Sequence, residues 1–262
     1  MPERRKKEKP TSIALVVNQN EIFYRLRMPW VRLLRENGYE VFAVVASGAW
    51  NDRIEAGGAS YVEWKLSRSG RNPFAEIGSI IGLTRILRRI RPDIVQNFHT
   101  KPNIYAPIAA RLAGVPLTVS TVTGLGYTFV ERAGLGGGIA RRLNLGMYSF
   151  ANRLANEVAF QNPDDMELLR AEGGLKQTKG RMISGGSGVD VTEYHPGNQG
   201  SVESLDLRRS LGITDSAFVA LFVGRLQLDK GLTEFIEAAR AVRQKRQDVV
   251  FVMVGAPDPG NK

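Results

Sequence analysis

The chain has 262 residues, a formal net charge of +10 and a pI of about 10, and its 43% hydrophobic content is enough for a sizeable globular core. It has no cysteine, and its histidines, His99 and His195, lie far apart, which excludes disulfides and cysteine–histidine zinc sites. No apolar run approaches the roughly 20 residues that span a bilayer, and the N-terminus lacks a signal-peptide core, so we expect a cytoplasmic protein.

Short apolar runs alternate with helical patterns along most of the chain. Strands are predicted near Ser12–Val17, Glu40–Ala46, Tyr61–Lys65, Asp93–Phe98, Leu117–Thr121, Glu157–Gln161 and Arg181–Ser184. Helices are predicted near Glu21–Asn37, Phe74–Arg91, Asn103–Ala113, Gly137–Ala155 and Pro163–Ala171. This alternation indicates an α/β fold with a parallel sheet covered on both faces, in which ligands bind at the carboxyl ends of the strands.

Two segments concentrate positive charge, so we expect an anionic partner. Residues 1–10 form a basic tail that we expect to be disordered, with attraction to an anionic membrane surface as the alternative. The predicted helix Phe74–Arg91 carries several arginines in its last turns, where the negative end of the helix dipole favours them. An amphipathic basic helix on anionic lipid is the other interpretation. No nucleic-acid partner is expected, because no motif interleaves basic and aromatic residues.

The first predicted strand–helix junction, Asn18–Arg27, lacks the glycines of a dinucleotide fingerprint. A nicotinamide or flavin cofactor is therefore not expected there. Arg25 and Arg27 in this stretch are either cations on a helix surface or ligands of an anion. The sequence alone leaves both interpretations open.

His99 directly follows a predicted strand and so belongs to the ligand edge of the sheet. A lone histidine is more often structural, but an imidazole at this place can donate a hydrogen bond to a ligand hydroxyl. Lys101 nearby contacts either phosphate or solvent. The loop after the next strand contains Thr123, Gly124 and Gly126, and it is either a plain turn or a loop that contacts a ligand.

A linker is predicted around Glu193–Ser201, which is rich in Pro, Gly, Asn and Ser. We therefore divide the chain into the basic tail, residues 1–10, an N-terminal domain, residues 11–195, and a linker with an incomplete C-terminal domain, residues 196–262. The last part holds about 60 residues, and so small a unit buries too little surface to form much of a core.

The stretch Phe222–Phe235 is the most informative part of the sequence. The apolar run Ala217–Val223 predicts a buried parallel strand, and a helical pattern begins at Leu232. Between them, two glycines allow a ligand to approach the backbone, the helix N-terminus is positive, and Arg225 and Lys230 add two cations. A diphosphate fits this arrangement better than a single carboxylate does, although solvated loop cations are the plain alternative.

The string GRLQLDKGLTEFIEAA, residues 224–239, resembles the GR-L-x-x-x-KG signature of the retaining glycosyltransferases of family 4. This resemblance implies a GT-B fold, here one complete Rossmann-like parallel-sheet domain plus the first βαβ part of a second. It implies transfer of a sugar, with retention, from a nucleoside-diphosphate sugar, UDP being the expected nucleotide. The chain is most similar to bacterial enzymes of surface polysaccharide assembly, whose acceptors are saccharides or polyprenyl-diphosphate-linked saccharides.

The resemblance also assigns roles to individual residues. It makes His99 the catalytic residue beside the donor sugar. It assigns donor diphosphate binding to Gly186, Gly224, Arg225 and Lys230, and acceptor binding to Arg25, Lys101, Thr123, Gly124 and Gly126. No Asp-x-Asp occurs, so we expect no metal and no cofactor, with cations and helix N-termini stabilising the leaving diphosphate.

Full family members carry two spaced glutamates in the second domain, and that motif does not occur before the sequence ends. We therefore expect a C-terminally truncated chain that is weakly active or inactive. Because related enzymes use lipid-linked acceptors, we also expect the protein to be peripheral on the inner face of the plasma membrane. The alternative is a non-catalytic module that docks on an anionic membrane or on a partner.

Overall fold

The computed structural model describes residues 10–66, 73–125, 135–176, 180–183, 186–192, 195 and 202–256. The chain forms two compact units, Met1–Gly188 and Val189–Lys262. The predicted basic tail lies outside the described residues except for Pro10. Among the described helices, none is both long enough and apolar enough to cross a membrane.

Strands and helices alternate through the first unit, as the sequence predicts. The strands are β1 Ser12–Val16, β2 Glu40–Val45, β3 Ser60–Glu63, β4 Ile94–Phe98, β5 Leu117–Val122, β6 Glu157–Phe160 and β7 Arg181–Met182. The helices are α1 Asn20–Glu36, α2 Asn51–Ala56, α3 Pro73–Ile90, α4 Thr100–Ala113, α5 Leu135–Leu154 and α6 Pro163–Ala171. The predicted α/β class is confirmed.

The seven strands form one sheet in the order β3-β2-β1-β4-β5-β6-β7, and every pairing is parallel. Alternate residues of β1 enter two separate cores, because successive side chains of a strand point to opposite faces. Ile13 and Leu15 pack in the core that contains α1 and α2, while Ala14 and Val16 pack in the core that contains α3, α4 and α5. Helices thus cover both faces, and the carboxyl ends of the central strands form one edge.

One helix was not predicted, and two begin earlier than predicted by two or three residues. Helix α2 was not predicted, because its six residues bury a single apolar side chain, Ile54, and so give no periodic pattern. Helix α4 begins at Thr100 rather than at Asn103, which puts Lys101 in its first turn. Helix α5 begins at Leu135 rather than at Gly137. Helix propensities of single residues are too weak to predict where such helices begin, because packing against the rest of the fold overrides them.

The second unit contains α7 Val202–Ser210, β8 Phe218–Val223, a 3₁₀ turn Leu228–Lys230, α8 Leu232–Arg243 and β9 Val249–Val254. Strands β8 and β9 pair in parallel with α8 between them in sequence, which is the predicted βαβ part of a second domain. The Phe235 ring of α8 lies 5.5 Å from the rings of Phe222 and Phe251.

The prediction that β8 is a buried strand is wrong. Phe218, Leu221 and Val223 are exposed, and the other three residues of the strand are only partly buried. The physical reason is that, among the described residues, β8 has one partner strand and α8 packs on one side of the pair. An apolar run therefore identified the strand correctly but overstated its burial.

Candidate functional site

Two of the predicted site residues meet at the carboxyl edge of the first unit's sheet. Strands β4 and β5 pair in register up to Phe98 and Thr121, so the residues that follow them are neighbours. His99 Nδ1 lies 3.1 Å from Thr123 Oγ1. His99 Nε2 is buried and has no hydrogen-bond partner in the described structure. The hydroxyl of Thr123 thus orients the ring and leaves Nε2 as the nitrogen available to a ligand.

The backbone of His99 is strained. Its φ of 72° and ψ of 165° lie in a region that essentially only glycine adopts. The strained residue is held by two contacts, the side-chain contact with Thr123 and the hydrogen bond that its carbonyl accepts from the Asn103 N–H at 2.9 Å. Such strain costs about 1–3 kcal/mol and concentrates at functional sites, where the fold over-determines it.

His99 is neutral at physiological pH. Burial, together with the nearby positive charge of Arg27, lowers the pKa of His99 from 6.5 to about 4. The imidazole therefore acts through hydrogen bonding rather than as a cation, and it can donate or accept at Nε2 depending on its tautomer.

This shift predicts a pH dependence of stability. Above pH 6.5 His99 is neutral in both the folded and the unfolded chain, so it adds no pH dependence to the free energy of unfolding. Below pH 6.5 the unfolded chain binds the proton before the folded chain does. Stability should therefore fall as the pH falls from about 6.5 to about 4, by at most about 3 kcal/mol from this residue. Urea unfolding of the wild type and of His99→Gln across this range measures the difference. Parallel stability curves for the two proteins would contradict the assignment.

Arg27, which sequence reasoning left as a possible surface cation, is fully buried. Its guanidinium lies 3.9 Å from the centroid of the Phe98 ring, and Nη1 lies 3.4 Å from Ser187 Oγ. Burial lowers the pKa of Arg27 to about 10, so the side chain remains charged at neutral pH. The interpretation of Arg27 as a helix-surface cation is wrong, because the residue falls on the buried side of α1 beside Phe23 and Val31.

A buried amide network that sequence reasoning missed supports this edge. The Asn97 amide donates to Asn103 Oδ1 at 2.6 Å and to Ser120 Oγ at 3.0 Å. The Asn103 amide donates in turn to the Thr121 carbonyl at 2.9 Å. The network joins β4, β5 and the first turn of α4 around His99. The polar Asn97 inside an apolar strand was the available signal.

Lys101 forms an ion pair with Glu76 of α3, at 2.8 Å between Nζ and Oε1. The Tyr105 hydroxyl donates a hydrogen bond to the other carboxylate oxygen of Glu76. The pKa of Tyr105 is raised, mainly because the hydroxyl is removed from water and also because it lies beside this carboxylate. Lys101 therefore takes part in a contact between α3 and α4. Its proposed role in acceptor binding remains a prediction.

The other predicted acceptor residues are placed differently. Arg25 is exposed, pairs with Glu21 at 3.0 Å and lies 5.2 Å from the centroid of the Trp50 ring. Gly124 follows Thr123 with a φ of 152°. Gly126 lies outside the described residues. The acceptor assignments of all three stay predictions.

The predicted donor residues lie in both units. Gly186, with a φ of 66°, lies in the first unit next to Ser187, the residue that contacts Arg27. Gly224 follows β8, Arg225 is exposed, and Lys230 ends the 3₁₀ turn before α8. The turn thus has the predicted strand–turn–helix context, and its binding role stays a prediction.

Comparison with known proteins adds family information to this geometry. Residues 12–162 match the family model described as "Glycosyl transferase 4-like", and residues 204–262 match "Glycosyl transferases group 1".

Two relatives with assigned activities align with the chain. Over 235 residues it is 26% identical to the N,N'-diacetylbacillosaminyl-diphospho-undecaprenol alpha-1,3-N-acetylgalactosaminyltransferase of Campylobacter jejuni, covering 90% of this chain and 61% of the relative. Over 183 residues it is 30% identical to the UDP-Gal:alpha-D-GlcNAc-diphosphoundecaprenol alpha-1,3-galactosyltransferase of Escherichia coli, covering 69% of this chain and 44% of the relative. The chain therefore spans less than two thirds of either relative.

Solved structures share the fold. The Anabaena protein HepE, solved in complex with UDP and glucose, superposes with a TM-score of 0.66 at 17% identity, covering 96% of this chain and 62% of HepE. Identity at this level shows the likeness of fold alone.

Proposed function

The chain belongs to the glycosyl transferase 4-like family, and we propose that it forms the acceptor side of an enzyme that extends an undecaprenyl-diphosphate-linked saccharide. The donor in this proposal is a nucleoside-diphosphate sugar, with UDP as the nucleotide. The observation that carries the proposal is the pairing of His99 with Thr123 at the carboxyl edge of the sheet, with His99 Nε2 buried and without a hydrogen-bond partner among the described residues. The names of both relatives, which specify lipid-linked acceptors, support the choice of acceptor.

The proposed reaction exchanges one glycosidic bond for another. The bond between the sugar's anomeric carbon and the diphosphate oxygen breaks, a bond to an acceptor hydroxyl forms, and the hydroxyl proton leaves with the diphosphate. Neutral His99 hydrogen-bonds the donor sugar near the reacting carbon, while Arg225 and Lys230 offset the charge on the leaving diphosphate. In this proposal no metal takes part.

Retention of the anomeric configuration is part of the proposal. The common UDP-hexoses carry the sugar in α-linkage, and the names of both relatives describe alpha-1,3 transfer. A non-catalytic module, the alternative raised from the sequence, is not favoured, because the family and these relatives are transferases.

The test is a transfer assay on this 262-residue protein. Labelled UDP-sugars are supplied with an undecaprenyl-diphosphate-linked N-acetylhexosamine, and the product is digested with α- and β-specific glycosidases. We expect a lipid-linked product that only the α-specific enzyme cleaves. A β-linked product would contradict retention, and conversion of the UDP-sugar without any use of the acceptor would contradict transferase function.

We also propose that this protein reaches its lipid-linked acceptor by docking on an anionic membrane surface. Helix α3 exposes Phe74, Ile77 and Ile81 on one stripe, and the same stripe continues to Arg85 and Arg88 near its C-terminal end. Apolar side chains followed by arginines suit the boundary between acyl chains and anionic headgroups.

Helix α5 extends this surface. Leu143 and Phe150 are exposed, and between α3, α4 and α5 lies a groove of about 340 Å³. The groove is lined mainly by apolar side chains, namely Ile80, Ile104, Ile108, Leu143, Met147 and Phe150, with Arg142 at its side. Exposed apolar surface beside cations is typical of a membrane-binding site.

The docking proposal predicts the effect of two glutamates on this surface. The double variant Ile77→Glu/Ile81→Glu should lose most of its flotation with vesicles that contain anionic phospholipid, because it places carboxylates against headgroups of the same charge. The matched control is Leu33→Glu on α1, an apolar side chain of similar exposure. Equal flotation of the wild type and the double variant, or equal loss in the control, would contradict a specific docking face.

A further inference from the structure

Arg27 is a buried cation whose charge no described carboxylate balances. It is 0% exposed, and its described head-group contacts are the ring of Phe98 at 3.9 Å and Ser187 Oγ at 3.4 Å from Nη1. Its Nε and Nη2 atoms are buried and have no hydrogen-bond partner in the described structure. The N–H groups on Nε and Nη2 point the same way and form the two-pronged edge with which a guanidinium binds oxyanions.

This arrangement costs stability in the chain without a ligand. A buried charge that lacks a partner costs several kcal/mol relative to a packed apolar side chain of similar size. The fold has no need of a cation here, since Phe23, Met28 and Val31 give α1 its buried apolar contacts. A charge that destabilises the free protein and sits at the ligand edge of the sheet is typical of a binding site.

The surroundings of Arg27 suit a phosphate group. His99 beside it is neutral and adds no competing anion, and the Ser187 hydroxyl also accepts a hydrogen bond from the Gln161 amide at 3.0 Å. Ser187 stands between Gly186 and Gly188, whose φ values of 66° and 76° favour glycine. At both glycines, no described atom lies within 4 Å of where a Cβ would be. The backbone at these two glycines, on either side of the residue that contacts Arg27, therefore has room for a ligand atom.

We propose that the Nε and Nη2 edge of Arg27 binds phosphate oxygens of a substrate diphosphate. The anion site stands on the geometry of Arg27, while the choice of a diphosphate rests on the proposed function. The diphosphate belongs either to the lipid-linked acceptor or to the nucleotide-sugar donor, and the experiment separates the two sources. This proposal adds Arg27 to the candidate substrate contacts of α1, beside Arg25, whose acceptor assignment stays a prediction.

The test measures binding of inorganic diphosphate, farnesyl diphosphate and UDP to the full 262-residue chain by ³¹P NMR titration. Three proteins are compared: the wild type, Arg27→Met, and Arg32→Met, which removes an exposed arginine of the same helix. We expect Arg27→Met to weaken binding of at least one diphosphate by tenfold or more, and Arg32→Met to leave it unchanged. If Arg27→Met weakens binding of farnesyl diphosphate more than binding of UDP, the diphosphate at Arg27 belongs to the acceptor. If it weakens binding of UDP more, the diphosphate belongs to the donor.

Thermal melting of the same variants separates a binding role from a structural one. Arg27→Met should melt at the wild-type temperature or above it, because it removes a buried charge that no described carboxylate balances. Arg27→Lys keeps the charge, loses the two-pronged edge, and should bind several-fold more weakly. Unchanged diphosphate binding in Arg27→Met and Arg27→Lys, or failure of Arg27→Met to fold, would overturn the proposal. Because no sugar is transferred, the result does not depend on whether the transferase function holds.

Discussion

Replacing His99 by alanine should lower kcat for sugar transfer about 100-fold, the usual loss when one preorganised hydrogen-bonding group is removed from an active site. The reason is that His99 Nε2 is buried, has no partner among the described residues and lies at the carboxyl edge of the sheet, held in orientation by Thr123. KM for the donor should change much less, because the contact is proposed to strengthen as the glycosidic bond breaks. Steady-state kinetics measure both quantities.

His195 supplies the matched control, since it is the other histidine of the chain and is exposed. His195→Ala should keep the wild-type kcat. A His99→Ala variant that retains more than about half of the wild-type kcat would remove His99 from the reaction, whatever its binding role.

The same residue allows the backbone strain to be measured. His99→Gly should be more stable than His99→Ala by about 1–3 kcal/mol, because glycine adopts a φ of 72° and a ψ of 165° without strain. His99 is also the N-cap of α4, where glycine is preferred to alanine, so this preference acts in the same direction as the relief of strain. Urea denaturation of the two variants gives the difference directly, and greater stability of the alanine variant would contradict the strained geometry.

Removing either cation of the turn after β8 should weaken UDP binding about 10–100-fold, because each charge-assisted hydrogen bond contributes about 1.5–3 kcal/mol. The variants are Arg225→Ala and Lys230→Ala, at exposed positions on either side of the turn. Calorimetric titration of each variant with UDP measures the two dissociation constants. Losses of UDP affinity of this size would support the assignment of this turn as the donor diphosphate site.

Lys245→Ala is the control for this pair, because Lys245 is exposed in the same unit and lies beyond α8. It tests whether lost binding reflects only the lower net charge of the protein, which weakens attraction of any anion. Equal losses in all three variants would reduce the effect to general electrostatics and would contradict a diphosphate site in the turn.

The sequence predicted the parallel sheet well because its signal is local. Apolar runs of strand length, separated by helical patterns, appear in the order in which β1 to β7 occur, and chain direction then puts the residues after each strand on one edge. For this reason the position of His99 at the ligand edge could be predicted. Its strained backbone and its contact with Thr123 depend on the register of β4 and β5, which no local pattern encodes.

The burial of Arg27 is the main feature that the sequence concealed. A cation is usually assigned to the solvent side of a helix. The signal was the spacing Phe23, Arg27, Val31, which puts all three on one side of α1. Conversely, the apolar run of β8 predicted burial that its single described partner strand does not provide. The sequence shows which residues are apolar, while their burial depends on how many neighbouring helices and strands cover them.

The central claim is that the edge around His99 contacts the substrates of a sugar transfer. Because the chain contains His99 and His195 and no other histidine, selective ¹⁵N-histidine labelling gives imidazole signals from only these two residues. We expect the His99 signals to shift when a UDP-sugar or a short-chain lipid-diphosphate saccharide is added, and the His195 signals to stay in place. Binding that calorimetry detects while the His99 signals do not move would contradict the claim.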